Sequence, residues 1–71
     1  RQNKYYWNCI VKPLCDFTGY HKWEMHEQLK NMFLLNTTKE LDKQEFNQYC
    51  EEIRAWASID FDVHLKAPNE Y

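Results

Sequence analysis

The sequence predicts a mainly α-helical fold, one small three-helix domain followed by an extended, strand-like C-terminal tail, and three observations lead there. Apolar residues recur at helical spacing over most of the chain, two cap positions are each followed three residues later by Glu, and apolar alternation sets in only after Ser58. A chain of 71 residues is near the size at which a single core barely offsets chain entropy. With 17% aromatic residues, large rings supply the buried surface that so short a chain needs.

Residues 2–18 read as the first helix, with Tyr6, Ile10, Leu14 and Phe17 on one face and Trp7 and Val11 widening it. Pro13 removes a backbone donor and clashes with the carbonyl four residues back, at about 3 kcal/mol in a regular interior, so a kink or break is expected near Val11. Gly19 supplies the left-handed residue that ends a helix. The second helix is expected from about Lys22 to Phe33. His21 caps it, Glu24 closes a capping box, and Tyr20 and Met25 form a hydrophobic staple. Its buried stripe is Met25, Leu29, Met32 and Phe33, flanked by Trp23 and His26. The short connection favours a hairpin of the first two helices onto which the third packs.

Asn36, Thr37 and Thr38 give the next connection its turn chemistry. The third helix is read over Leu41 to Ala57, with Asp42 and Glu45 as its capping box and Leu41 and Phe46 as its staple. Phe46, Tyr49, Cys50, Ile53, Trp56 and Ala57 make one apolar stripe. Beyond it Ile59, Phe61, Val63 and Leu65 alternate with polar residues, a strand-like signal. Such a segment either lies extended across the helices or joins a sheet from elsewhere. Pro68-Asn69-Glu70 closes it as a turn or a mobile tail.

No apolar run approaches the ~18 residues of a membrane span and no basic-then-apolar leader is present, so the expected location is the cytoplasm, with no membrane partner. An odd number of cysteines, Cys9, Cys15 and Cys50, is not a disulfide framework and suits a reducing compartment, with Cys9 and Cys50 as small core residues. Because the chain opens on Arg1 rather than Met, a fragment or core lacking an upstream segment is expected. The spacings of Cys9, Cys15, Cys50, His21, His26 and His64 fit no zinc motif, so neither metal nor cofactor is expected. Cys15 with His21 or His26 lacks the strained turn or glycine-rich loop of a nucleophilic site, and Gly19 is the only glycine; no enzymatic activity is expected.

The net charge of −2 is unevenly spread: residues 1–39 hold six Lys or Arg against three Asp or Glu, and residues 40–71 three against eight. The basic half opens with Arg1, Gln2, Asn3 and Lys4 directly before Tyr5, Tyr6 and Trp7. Cationic and amide donors beside rings at a helix start are the usual means of holding single-stranded nucleic acid, whose phosphates take the charge and whose bases stack at about 1–3 kcal/mol each. The opposing reading makes Tyr6 and Trp7 core and Gln2 to Lys4 merely solvated.

A set of scattered positions resembles a known family. Gln2-Asn3-Lys4 with Trp7, Thr18-Gly19-Tyr20, Met25-His26-Glu27 with Leu29-Lys30, Thr37-Thr38, Leu41, Glu45-Phe46, Tyr49, Ile53, Trp56-Ala57 and Pro68-Asn69-Glu70 together resemble the NinB/Orf family of bacteriophage recombination proteins. The resemblance covers nearly the whole chain. It implies a non-enzymatic mediator in a bacterial host that binds single-stranded DNA and aids recombinase loading against host single-strand binding protein, often as a homodimer. Carried over by position, it places Gln2, Asn3, Lys4 and Trp7 in or beside the DNA-contacting surface.

The expected DNA-binding residues are therefore Arg1, Gln2, Asn3, Lys4, Trp7 and Lys12, joined by Lys22 or Lys30, with Trp7 or Tyr5 stacking on a base. The alternative is an acidic protein-interaction module in which Glu51, Glu52, Asp60 and Asp62 meet a basic protein partner from the host or the phage.

Overall fold

The computed structural model describes residues 2–34 and 41–70, without the side chains of Gln2 and Asn3. The chain is mainly helical, 80% helix in three helices with no strand among the described residues. The connection carrying Asn36, Thr37 and Thr38 lies outside the described residues.

The first helix, α1, spans 2–18 in three continuous pieces: an α-turn Gln2–Tyr5, a π-helical segment Tyr6–Val11 and an α-segment Lys12–Thr18. The kink or break expected near Val11 thus takes another form. Lys12 N–H reaches back to the Trp7 carbonyl, the i→i−5 bond of a π-helix, and Pro13 falls in the first turn of the α-segment that follows. There a missing N–H costs that segment nothing, so the proline is absorbed at the seam without ending the helix. Gly19, at φ 83°, closes α1 with its N–H on the Cys15 carbonyl.

Helix α2, Lys22–Phe33, starts where the capping residues place it: Glu24 Oε1 accepts from His21 N–H at 3.0 Å, and His21 Nδ1 accepts from Trp23 N–H at 3.4 Å. Met25 and Leu29 are buried, and the Thr18 hydroxyl meets the Met25 sulfur at 3.8 Å. The hairpin expectation is corrected. Tyr6 and Trp7, near the start of α1, meet Trp23 and His26, near the start of α2, whereas an antiparallel pair would set them against its end. Helix α2 therefore crosses α1.

Helix α3, Lys43–Phe61, is closed at its start by the Asp42–Glu45 box at 2.8 and 3.1 Å, with Leu41 and Phe46 both packed on the core. It runs one turn beyond the expected end at Ala57. Asp62, at φ 56°, takes the left-handed position and Val63 N–H bonds the Ala57 carbonyl at 3.1 Å, a Schellman-type closure. Half of the alternating segment is thus helix, and Ile59, one of its apolar positions, is 80% exposed.

From Asp62 to Ala67 the chain runs on without helix or strand. Leu65 enters the core, and side chains do for the tail backbone what a neighbouring strand would do. Tyr5 O–H donates to the Lys66 carbonyl at 2.6 Å and Arg54 Nε–H donates to the Leu65 carbonyl at 3.0 Å. Pro68–Glu70 forms a 3₁₀ turn, with Glu70 Oε1 accepting from Ala67 N–H at 2.8 Å.

The core gathers Ile10, Val11 and Leu14 of α1, Leu29 of α2, Ile53 and Ala57 of α3, and Leu65, with Cys9 and Cys50 buried as free thiols beside them. Phe17 and Met32, read as members of buried stripes, are instead largely exposed.

Candidate nucleic-acid interface

The π-segment presents Tyr6 and Trp7 to the crossing helix. Tyr6 is buried, and its hydroxyl stands 2.7 Å from His26 Nδ1 and 3.0 Å from the Tyr49 hydroxyl. A neutral His26 carrying its proton on Nε2 accepts from Tyr6, which then accepts from Tyr49, so the Tyr6 hydroxyl both donates and accepts. Burial, with the charge of Lys30 adding to it, pushes the His26 pKa below its ordinary value and favours the neutral ring. Burial likewise pushes the Tyr6 phenol far up and that of Tyr49 up to about 12.

On this hydrogen-bonded base Trp7 is half-buried. Its ring lies 5.3 Å from Tyr6, 5.1 Å from Trp23 and 5.1 Å from His26 by centroid. Beside it opens a groove of about 460 Å³ lined by Trp7, Lys12, Cys15, Tyr20, His21 and Lys22. The crossing of α2 over α1 makes this groove, because it brings the Gly19–His21 turn and the start of α2 beside α1, with Lys12 and Lys22 both on the lining. Both lysines and Tyr20 are exposed.

Of the expected DNA-binding residues the structure brings Trp7, Lys12 and Lys22 into one groove. Lys4 is exposed but does not line the groove, and Lys30 stands on the His26 side of α2. Arg1 and the side chains of Gln2 and Asn3 lie outside the described residues. One expectation is overturned. Tyr5 is buried with its hydroxyl held on the Lys66 carbonyl, so its ring cannot stack on a base. Sequence reasoning missed Tyr20 and His21 as groove residues, since nothing in their spacing reports that the turn folds back; it also took Trp23 as a flank of the core, where it is 57% exposed.

Cys15 and His21 share the groove, but burial and the neighbouring Asp16 carboxylate push the Cys15 thiol up, the reverse of an activated nucleophile. Among the described residues no three His, Cys, Asp or Glu side chains come together in a way that could hold a metal ion, and no helix is long and apolar enough to cross a membrane. On the acidic side, Glu51 is bound to Arg54 Nη1 at 2.7 Å and Glu52 accepts from Gln48 at 3.3 Å, while Asp60 and Asp62 stand apart at the end of α3.

The chain matches no protein-family model, no curated protein and no solved structure. Function is therefore argued from the groove.

Proposed function

We propose that the protein binds single-stranded DNA without catalysing a reaction, acting as a mediator of the kind its resemblance to the NinB/Orf bacteriophage proteins implies, alongside a recombinase or host single-strand binding protein. The observation that carries this reading is one groove lined by two aromatic rings, Trp7 and Tyr20, and two cations, Lys12 and Lys22. Bases stack on the rings, and phosphates on either side meet the lysines. Stacking on rings and charge on the backbone carry little sequence information, which suits a protein that coats strands of any sequence.

The test is fluorescence anisotropy of a labelled oligothymidine across a salt series, with the same sequence as duplex for comparison. The double variant Lys12→Glu/Lys22→Glu, changed only at exposed positions, should bind more weakly. It should also flatten the slope of log affinity against log salt by about 1.4, two single-strand phosphate contacts at about 0.7 each. Equal affinity and slope in the double variant, or absence of binding at low salt, would rule the groove out.

A further inference from the structure

The far end of α1 carries a second row of rings that the groove does not use. Phe17 packs on Phe61 at a tilt, 5.0 Å by centroid, and Trp56 meets Phe61 and Phe33 edge to face at 4.9 and 5.8 Å, so the row runs over the closing turns of all three helices. Phe17 is 53% exposed. Asp16 precedes it, and Asp60 and Asp62 bracket Phe61; none of the three carboxylates forms an ion pair among the described residues.

This placement runs against local preference. Helix ends favour cations in the last turn, yet α1 and α3 have no basic residue there and present Asp16 and Asp60. No ion pair among the described residues offsets that arrangement, and beside it Phe17 is largely exposed while Phe33, Trp56 and Phe61 are partly buried. Locally disfavoured charge next to an open ring such as Phe17 is a mark of a surface shaped for something outside the domain.

We infer that this row is a docking surface for a segment of another protein in which arginines alternate with apolar residues. Charge complementarity selects that occupant. A guanidinium stacks on the open face of Phe17 or Phe61 while pairing with Asp16, Asp60 or Asp62, and apolar side chains continue along Trp56 and Phe33. An acidic or purely apolar segment would leave the three carboxylates repelled or desolvated. The inference goes beyond the nucleic-acid reading and uses side chains that do not line the groove, so the two stand or fall separately.

A fluorescein-labelled peptide Arg-Leu-Arg-Trp-Arg-Leu-Arg, titrated with the whole protein, reads the surface directly. Phe17→Ser and the pair Asp60→Asn/Asp62→Asn should each weaken binding about tenfold, as should replacing the peptide's Leu and Trp by Ser. Asn is at home in the left-handed position of Asp62, so the pair keeps the helix closure. Glu27→Gln/Glu52→Gln, which removes two exposed carboxylates elsewhere, should leave binding unchanged. Equal weakening by that control would show diffuse attraction only, and absence of peptide binding would likewise overturn the inference. So would a dimer in sedimentation velocity that Phe17→Ser dissolves, which would make the occupant a second copy of the chain.

Discussion

Two clusters of rings hold this chain together, and they differ in one chemical respect. Around Tyr6 the rings of Trp7, Trp23, His26 and Tyr49 pack at centroid distances between 5.1 and 6.1 Å, and three of the five carry polar atoms bonded to one another. Around Phe61 the rings of Phe17, Trp56 and Phe33 pack as closely, at 4.9 to 5.8 Å, with no hydrogen bond linking them among the described residues. The first cluster fixes geometry, because a buried phenol must meet a partner in a given direction. The second only excludes water, which any neighbouring ring can do. Directional bonds thus set how α2 crosses α1, while the apolar row leaves surface open.

The sharpest way to break the comparison is to remove one oxygen from the first cluster. Tyr6→Phe keeps the ring but leaves the Tyr49 hydroxyl and His26 Nδ1 without their shared partner, and should cost about 1–3 kcal/mol in urea unfolding. A cost near zero would mean that packing alone holds the helix crossing.

A smaller effect comes from acid. The folded-state pKa of His26 lies below 6.5, so its contribution is present in full above that value; as pH falls through 6.5 the unfolded chain takes up a proton first and stability is lost. Thermal melts between pH 8 and pH 5 should show the decline, and His26→Gln should flatten this part of the profile. At the alkaline end the sign reverses: Tyr49, pushed up to about 12 from 10.0, favours folding below pH 10, and that contribution is lost as pH rises toward 12.

The smallest effect is expected in the other cluster. Phe17→Ser should change stability by no more than about 0.5 kcal/mol, as at an ordinary surface position. A loss several times larger would show that the open row carries the fold after all, and the contrast between the clusters would disappear.

The elements whose ends are written in local chemistry were legible. Asp42 with Glu45 and His21 with Glu24 are short-range devices, and both helices begin where those residues place them. The stripe from Tyr49 through Cys50 and Ile53 to Ala57 is buried for the same reason, since it depends on period alone. What escaped the sequence depends on contacts between elements. Alternation from Ile59 to Leu65 gave no sign that the left-handed Asp62 divides it, helix before and tail after. The burial of Tyr5 depends on a tail that returns from the far end of the chain to place the Lys66 carbonyl on its hydroxyl. Of the candidate site, Trp7, Lys12 and Lys22 could be named from composition, whereas their partnership with Tyr20 exists only once α2 has crossed.

The π-segment Tyr6–Val11 also sets the rotational phase of the helix around it. A π-turn amounts to an α-helix with a surplus residue looped into its wall, so it behaves as an insertion absorbed without a loop. Everything before it is rotated by about 100° relative to an uninterrupted α-helix, the angle that one residue contributes. That offset lets Tyr5 aim at the tail and Tyr6 at His26 while Ile10 and Leu14 still face α3. Excising one residue at the exposed Asn8 would return the wall to α-helical pitch and swing Tyr5 away from Lys66, unfastening the two ends of the chain from each other.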